Sequence, residues 1–164
     1  MSFTANFKPD LHVAAVTDIP LAELWQNGVR GLLFDVDNTI ALWRSPELSA
    51  EVRRWFAELP ALGFCACLLS NSDRARVEPL AAALNIPYIY RAKKPAAAGF
   101  KRAGDLLRLD KRQLAMVGDQ LFTDIYGARR AGIYAILVDY IDPREFAGTR
   151  HISRRAERLV KRRW

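Results

Sequence analysis

The sequence predicts an α/β fold in which a central parallel sheet of about five strands is covered by helices on both faces. The first observation behind this prediction is that short apolar runs alternate along the chain with segments of helical periodicity. The second is that runs such as 31–36 are apolar almost throughout, as in strands buried on both faces. The third is the composition of the 164 residues, 51% hydrophobic and 26% charged, which is typical of one compact globular domain.

Five strand-like runs mark the predicted sheet. They span residues 31–36, 64–69, 86–90, 114–117 and 133–138. Between the first two runs, Ser45 is expected to cap a helix that has Pro46 in its first position. An apolar stripe along that helix comprises Leu48, Val52, Trp55, Phe56 and Leu59.

Further helices are predicted over residues 80–84, 95–107 and 123–131, with Gly132 ending the last of them. Ahead of the first strand, Leu21, Leu24 and Trp25 indicate a short helix. Core packing is the role expected for Trp25, with an interfacial aromatic anchor as the alternative. Residues 1–149 are interpreted as a single domain, with residues 1–30 as its lead-in segment.

The chain has two cysteines and two histidines, which limits the kinds of site that it can form. Cys65 and Cys67 imply no disulfide framework and are expected to be small buried hydrophobes. His12 and His151 both lie in terminal regions, so any chemistry is expected to rely on carboxylates and lysine. No stretch approaches the roughly 18 apolar residues of a membrane span, which leads us to expect a cytoplasmic protein.

Polar residues follow four of the predicted strands directly. They are Asp35, Asp37, Asn38 and Thr39 after the first, Ser70, Asn71 and Ser72 after the second, Lys93 and Lys94 after the third, and Asp119, Thr123 and Asp124 after the fourth. Each group alone is ordinary loop chemistry. The carboxyl ends of parallel strands meet at one edge of a sheet, so the four groups together predict a single site.

Three carboxylates at one edge, Asp35, Asp37 and Asp119, would repel each other by about 4 kcal/mol per close pair at an effective dielectric near 20. A hard divalent cation removes this conflict, and oxygen-only ligands suit Mg²⁺. Lys94 and the Ser70 hydroxyl would contact a phosphoryl group. The set predicts phosphoryl transfer, with one carboxylate attacking phosphorus and Asp37 protonating the leaving group and later activating water.

These residues resemble the four motifs of the haloacid-dehalogenase-like phosphatases. The matching segments are "DVDNT", "LLSNS", Lys94 in "AKKP" and "VGDQLFTD", within residues 31–138. The resemblance implies a three-layer Rossmann-like fold and a phosphatase that depends on Mg²⁺. By the same resemblance Asp35 is the nucleophile and a metal ligand, and Asp37 is the general acid and base, whose backbone carbonyl also meets the metal.

The resemblance also implies roles for the other motif residues. Ser70 would bind phosphate with Asn71 alongside, and Lys94 would stabilise the phosphoryl charge. Asp119 would bind the metal directly, Asp124 would act from outside the ligand set, and Thr39 would order the first loop. The family's larger members insert a cap domain between these motifs, whereas the gaps here have room for one helix each. The site is therefore expected to be open, suiting a large or membrane-anchored substrate, unless a second subunit acts as the lid.

Most of the formal charge of +7 lies at the C-terminus. Residues 150–164 contain seven basic residues and one acidic residue, which leaves +1 for the rest of the chain. This segment is predicted to form a basic amphipathic helix, which would either contact an anionic membrane or dock on the protein body, with RNA binding a weaker third reading. The small capless form and basic end resemble the subfamily IIIA phosphatases related to phosphatidylglycerophosphate phosphatases.

That resemblance implies phosphatidylglycerophosphate as the substrate and a peripheral position at the inner membrane surface. Two other readings stay open at this point. One is a phosphatase of nucleotides, sugars or proteins. The other is a non-catalytic phospho-acceptor that binds RNA or another anion through its tail, although the intact pair of Asp35 and Asp37 favours an enzyme.

Overall fold

A six-stranded parallel sheet organises the protein in the computed structural model, which describes residues 6–141. The strands are β1 (Leu11–Val13), β2 (Gly31–Phe34), β3 (Cys65–Leu69), β4 (Tyr88–Ile89), β5 (Leu114–Gly118) and β6 (Tyr134–Val138). Their order across the sheet is β1-β6-β5-β2-β3-β4, and every pairing is parallel. The predicted α/β class is confirmed, with one strand more than expected.

Five α-helices connect these strands. They are α1 (Leu21–Gln26), α2 (Ala50–Glu58), α3 (Arg74–Leu84), α4 (Ala97–Leu107) and α5 (Gly127–Ala131). A π-helical turn, Leu121–Tyr126, leads directly into α5, and Gly132 ends that helix with a positive φ, as predicted. The segments between β2 and β3 and between β3 and β4 each contain one helix, α2 and α3.

Side chains that alternate along the strands build a separate apolar core on each face of the sheet. On one face, Leu32 and Phe34 of β2 pack with Trp55 and Phe56 of α2, and α1 and α3 complete that layer. On the other face, Leu33 packs in the layer that contains α4, the π-helical turn and α5. Helices therefore cover both faces, which is the predicted three-layer arrangement.

Several predicted elements have different boundaries in the structure. Strand β4 covers only Tyr88–Ile89 of the predicted run 86–90, and the helix predicted over 123–131 is π-helical up to Tyr126. Ser49, not Ser45, caps α2: its Oγ accepts a hydrogen bond from the Val52 amide at 3.1 Å. The Ser45 hydroxyl accepts from the Glu47 amide instead, and residues 45–49 are not helical. Helix α3 begins at Arg74, well before residue 80, because Asp73 caps it and the helix continues through Pro79.

Trp25 does not pack in the core as expected. Its side chain is on the surface, where the Arg30 guanidinium lies 3.4 Å from the ring centroid and Phe64 meets the ring edge-on. Cys67 is fully buried, whereas Cys65 is only partly so. No helix within residues 6–141 is long and apolar enough to cross a membrane. The predicted C-terminal helix over residues 150–164 lies outside the described residues.

Candidate active site

The candidate site lies at the carboxyl ends of the central strands. Strand β2 is flanked by β3 on one side and β5 on the other, so the residues that follow these three strands are neighbours in space. The chain runs from β2 outward through β3 and β4, and returns to β5 and β6 on the other side, where β1 forms the far edge. Such a switch point in an open α/β sheet forms the crevice in which ligands bind.

Three buried carboxylates meet in this crevice. Asp35, Asp119 and Asp124 each contribute an oxygen, and these oxygens all lie within 4.8 Å of one another. All three residues are almost completely buried. The sequence interpretation gave Asp124 a role outside the ligand set, whereas the structure brings its carboxylate into the cluster itself.

Lys94 supplies the positive charge of the cluster. Its Nζ donates to Asp35 Oδ1 at 3.0 Å and to Asp124 Oδ1 at 2.6 Å, and its side chain is 1% exposed. Burial alone would lower the pKa of Lys94, but the carboxylates of Asp124 and Asp35 outweigh it and hold the pKa above the usual lysine range. Lys94 is therefore a fixed ammonium at neutral pH.

Burial raises the pKa of Asp124, the carboxylic acid next to Lys94, whereas it lowers that of a lysine. It raises the pKa of Asp124 to about 6, even though the neighbouring Lys94 ammonium opposes that rise. The Gln120 amide donates to Asp124 Oδ2 at 3.1 Å, which orients the carboxylate. Gly118 is required next to it, because a Cβ there would lie 2.2 Å from Asp124 Oδ2.

The donor set fits a hard divalent cation. Three carboxylates and one ammonium leave two negative charges in excess in a crevice with little access to water, and a doubly charged cation would neutralise them. Every donor is an oxygen, which suits Mg²⁺ better than zinc or copper. Thr39 Oγ1 donates to Asp119 Oδ1 at 3.3 Å and orients that carboxylate from behind.

Asp37 has different partners from the three clustered acids. Its Oδ1 accepts from Arg76 Nε at 3.0 Å and Nη2 at 2.9 Å, and from the Arg44 amide at 3.3 Å. Its Oδ2 accepts from the Ser72 hydroxyl at 3.1 Å. The Asp37 side chain is 14% exposed, slightly more than the 8% of the Asp35 side chain.

The second strand end supplies the remaining predicted residues. Ser70 is buried, and its Oγ accepts from the Ser72 amide at 3.1 Å. Asn71 forms a pair of hydrogen bonds with the backbone of Lys94: the Lys94 amide donates to Oδ1 at 2.7 Å, and Nδ2 donates to the Lys94 carbonyl at 3.0 Å. Asn71 therefore joins the end of β3 to the segment that carries the lysine.

Sequence reasoning did not identify Arg76 or the burial of Asn38. Arg76 lies on α3 and also donates to the backbone carbonyls of Ser45 and Leu42, so it joins α3 to the loop after β2. The Asp73 cap signal places Arg76 in the first turn of a helix, but nothing local indicates that its partner is 39 positions away. Asn38 is fully buried, has a positive φ, and its side-chain amide has no partner among the described residues.

The fold and the site together define an α/β protein with a crevice suited to a divalent cation and an anionic ligand. A buried cluster of acids around a lysine, at the switch point of a parallel sheet, is the feature on which this assignment rests. The chain belongs to the haloacid dehalogenase-like hydrolases, because the model of that family matches residues 23–132. Within that family it is a phosphatase.

The relatives of the chain agree with this assignment. It is 36% identical over 132 residues to the "Probable phosphatase YqeG" of Bacillus subtilis, covering 80% of this chain and 77% of that protein. It is 29% identical over 168 residues to the chloroplastic phosphatidylglycerophosphate phosphatase 1 of Chlamydomonas reinhardtii, covering 95% of this chain and 61% of that protein.

A solved structure with a similar fold is the 3-deoxy-D-manno-octulosonate 8-phosphate phosphatase of Moraxella catarrhalis, in complex with magnesium, phosphate and KDO. The TM-score is 0.50 at 17% sequence identity, over 60% of this chain and 63% of that one. At this identity the likeness concerns the fold alone.

Proposed function

We propose that this phosphatase hydrolyses a phosphate monoester with Mg²⁺ through a phosphorylated Asp35, and that its substrate is a phospholipid headgroup phosphate such as that of phosphatidylglycerophosphate. The observation that carries the mechanism is the contact of Lys94 with Asp35 inside the buried acid cluster. This contact supports the mechanism because a fixed ammonium beside Asp35 reduces the repulsion between the anionic nucleophile and an anionic substrate.

In the first step an Asp35 carboxylate oxygen attacks phosphorus. The bond between phosphorus and the leaving alkoxide breaks, and Asp37 gives that oxygen its proton. The product alcohol leaves and Asp35 carries the phosphoryl group as an acyl phosphate. Asp37 suits this role because it follows Asp35 by two positions and its side chain keeps some exposure to solvent.

In the second step water attacks the phosphorus of the acyl phosphate. Asp37, now a carboxylate, takes a proton from that water, and the bond between phosphorus and the Asp35 oxygen breaks. Inorganic phosphate leaves and both aspartates return to their starting states. One residue thus serves as acid in the first half of the reaction and as base in the second.

The remaining residues bind and orient the phosphoryl group. The Lys94 ammonium would lie beside the negatively charged phosphoryl oxygens and stabilise them, and the Ser70 hydroxyl would donate to one of these oxygens. Asn71 positions Lys94 through the two backbone hydrogen bonds described above. Asp35, Asp119 and the Asp37 carbonyl, with Asp124 beside them, would hold Mg²⁺, which neutralises phosphoryl charge when bound.

The lipid substrate is supported by the open site and by the relatives. Only single helices occupy the gaps between β2 and β3 and between β3 and β4, so a headgroup could enter while its acyl chains stay in the bilayer. The phosphatidylglycerophosphate phosphatase of C. reinhardtii matches along almost the whole chain. We propose in addition that the basic segment 150–164 attracts the enzyme to anionic membranes.

Phosphate release from an aryl phosphate with Mg²⁺ tests the mechanism. Asp35→Asn should lower kcat by a factor on the order of 10⁴. Asp37→Asn should lower it by about 10² to 10⁴. Asp105→Asn, an exposed acid paired with Lys101, is the matched control and should leave kcat unchanged. Full activity in both site variants would overturn the mechanism.

A panel of phosphorylated lipids, sugars, nucleotides and peptides tests the substrate. We expect kcat/KM to be highest for phosphatidylglycerophosphate. A preference for a soluble sugar or nucleotide phosphate would overturn the lipid assignment and leave the mechanism intact. Lack of turnover on every substrate would favour the non-catalytic phospho-acceptor instead.

A further inference from the structure

Two large apolar side chains are exposed in the loop that follows the first catalytic motif. Leu42 is 40% exposed and Trp43 is 39% exposed, and the Arg44 guanidinium lies 4.4 Å from the centroid of the Trp43 ring. Neighbouring segments of this loop are anchored, because the Leu42 carbonyl accepts from Arg76 and the Arg44 amide donates to Asp37. The apolar pair is thus held at a fixed position beside the crevice.

Two further exposed cations lie at the same opening. The Arg91 amide donates to the Ser72 carbonyl at 2.9 Å, and the Ser72 hydroxyl in turn donates to Asp37. Lys93 directly precedes Lys94 of the acid cluster. Neither Arg91 nor Lys93 forms a salt bridge to any other residue within 6–141.

We propose that Leu42, Trp43, Arg44, Arg91 and Lys93, here called the rim patch, dock the enzyme on an anionic phospholipid bilayer with the crevice facing the lipid headgroups. This rests on the proposed function, since it takes the phosphate of a bilayer lipid as the substrate. Tryptophan and leucine would enter the headgroup region, where tryptophan rings are enriched. The three cations would lie against anionic lipid phosphates.

The size and chemistry of the rim patch favour a bilayer over a protein partner. Stable protein interfaces bury about 1,200 Å² or more, which needs many more apolar contacts than one leucine and one tryptophan. A bilayer needs only a small apolar insertion together with cations to bind reversibly. The patch also lies on segments that contact Asp37 or adjoin Lys94, so binding to a bilayer would bring the headgroups close to the acid cluster.

A second pair of exposed apolar residues provides a matched control at the opposite edge of the sheet. Trp25 is 40% exposed, with Arg30 over its ring, and Leu62 is 50% exposed. The Trp25 ring lies against Gly63, just before β3 begins, and so far from the carboxyl ends of the strands. The control pair therefore matches the apolar pair of the rim patch, Leu42 and Trp43, in composition but not in position.

The test compares the full-length double variants Leu42→Ser/Trp43→Ser and Trp25→Ser/Leu62→Ser. Flotation with phosphatidylcholine vesicles, with and without phosphatidylglycerol, measures binding, and thermal unfolding checks that both variants fold. We expect the rim variant to lose roughly tenfold in partition to the anionic vesicles and the control variant to bind like wild type. Equal binding by all three proteins would overturn the docking proposal.

Fluorescence quenching by brominated lipids provides a second measurement. It reports whether a tryptophan ring lies among the lipids, even when the variant binds vesicles as well as wild type does. In a Trp164→Phe background, Trp43→Phe keeps an apolar ring but removes the reporter, so the fluorescence intensity lost to quenching should fall, whereas Trp25→Phe should leave that lost intensity unchanged. Quenching that is reduced only by Trp25→Phe would overturn the proposed orientation.

Activity measurements distinguish failure of docking from failure of the proposed function. The rim variant should hydrolyse an aryl phosphate like wild type and lose rate only on phosphatidylglycerophosphate in vesicles. If it hydrolyses the vesicle lipid at the wild-type rate, docking by the rim patch is wrong while the lipid substrate stands. If wild type binds vesicles through the patch but does not hydrolyse the lipid, the substrate is wrong while docking stands.

Discussion

Lys94 is the residue on which the charge balance of the site depends. Its ammonium contacts two carboxylates that would otherwise face each other in a crevice with almost no solvent. A buried ion pair contributes little net stability when it is intact, but removing one partner leaves an uncompensated charge. The lysine that would hold a phosphoryl group is therefore also required for the stability of the acid cluster without a cation.

Replacing this lysine should destabilise the protein as well as inactivate it. Without Mg²⁺, Lys94→Met should lower the free energy of unfolding by about 3 kcal/mol or more, because Asp35 and Asp124 lose their cation. Urea unfolding followed by circular dichroism measures this. Lys101→Met is the control, since Lys101 is exposed and paired with Asp105, and it should unfold like wild type. A Lys94 variant as stable as wild type would contradict the charge balance described here.

Several site residues were predictable from their order along the chain, and the exceptions have a common physical reason. Asp35, Ser70 and Asp119 each follow an apolar strand. Parallel pairing of those strands places these residues close together and does not depend on the conformation of the connecting loops. Arg76 is different. Its contact with Asp37 depends on how α3 packs on the sheet, and no local pattern of residues encodes that packing.

At the scale of elements, helices α2 and α3 hold the loop that carries Asp37 and the apolar pair of the rim patch, Leu42 and Trp43. Helix α2 begins where Ser49 accepts from the Val52 amide, which leaves residues 42–48 as a loop. Arg76, in the first turn of α3, donates to two carbonyls of this loop and to Asp37. The helices therefore hold the backbone of the loop after β2 as well as covering the sheet.

Because Ser49 rather than Ser45 caps α2, we expect the two serine-to-alanine substitutions to differ in their effect on stability. Ser49→Ala should lower the free energy of unfolding by about 1 kcal/mol, because the Val52 amide loses its acceptor. Ser45→Ala should have a smaller effect, since the Ser45 hydroxyl accepts only within a non-helical turn. Chemical denaturation of both variants checks this, and a larger loss for Ser45→Ala would show that the helix begins earlier.

The hydrogen bonds from Arg76 of α3 to the loop after β2 and to Asp37 can be tested by measuring kcat. Arg76→Lys keeps the charge but cannot reach Asp37 and two carbonyls at once, so kcat on an aryl phosphate should fall about tenfold or more. The control is Arg74→Lys, whose partner Glu78 lies on the same helix and away from Asp37. An unchanged kcat in Arg76→Lys would mean that turnover does not need the hydrogen bonds from Arg76 to Asp37 and to the two backbone carbonyls.

Boundaries of elements were the least predictable part of the fold. Strand β1 has only three residues and is stabilised by its parallel pairing with β6, which lies more than a hundred positions away. The apolar pattern around Pro46 suggested a helix start, but the chain stays irregular until the Ser49 cap. Long apolar runs such as β5 were predicted within one residue, because burial on both faces leaves little choice of residue type.

At the scale of the whole molecule, one sheet joins two apolar cores and places the acid cluster between them. The cluster lies at the ends of β2 and β5, which belong to both cores. A cation that binds these acids would bridge segments far apart in sequence. Binding at this point should therefore stabilise the entire fold.

Magnesium should raise the melting temperature of the protein. A ligand that binds only the folded state at a concentration about 100 times its Kd adds about 2.7 kcal/mol to the free energy of unfolding. Differential scanning calorimetry with and without Mg²⁺ measures the effect, and Asp119→Asn should abolish most of it because a carboxylate of the cluster is lost. A wild-type melting temperature that does not respond to Mg²⁺ would contradict the proposed cation site.

The central claim is that Asp35 accepts the phosphoryl group, and trapping the intermediate tests it most directly. The full chain with Asp37→Asn is mixed with Mg²⁺ and an aryl phosphate, whose phenolate can leave without a proton from Asp37, and is then quenched in acid, digested and analysed by mass spectrometry. Because this variant lacks the base that activates water, we expect one phosphoryl group on the peptide that contains Asp35, and none when Asp35→Asn is added. Turnover with no phosphorylated peptide, or with the phosphoryl group on another residue, would contradict the account.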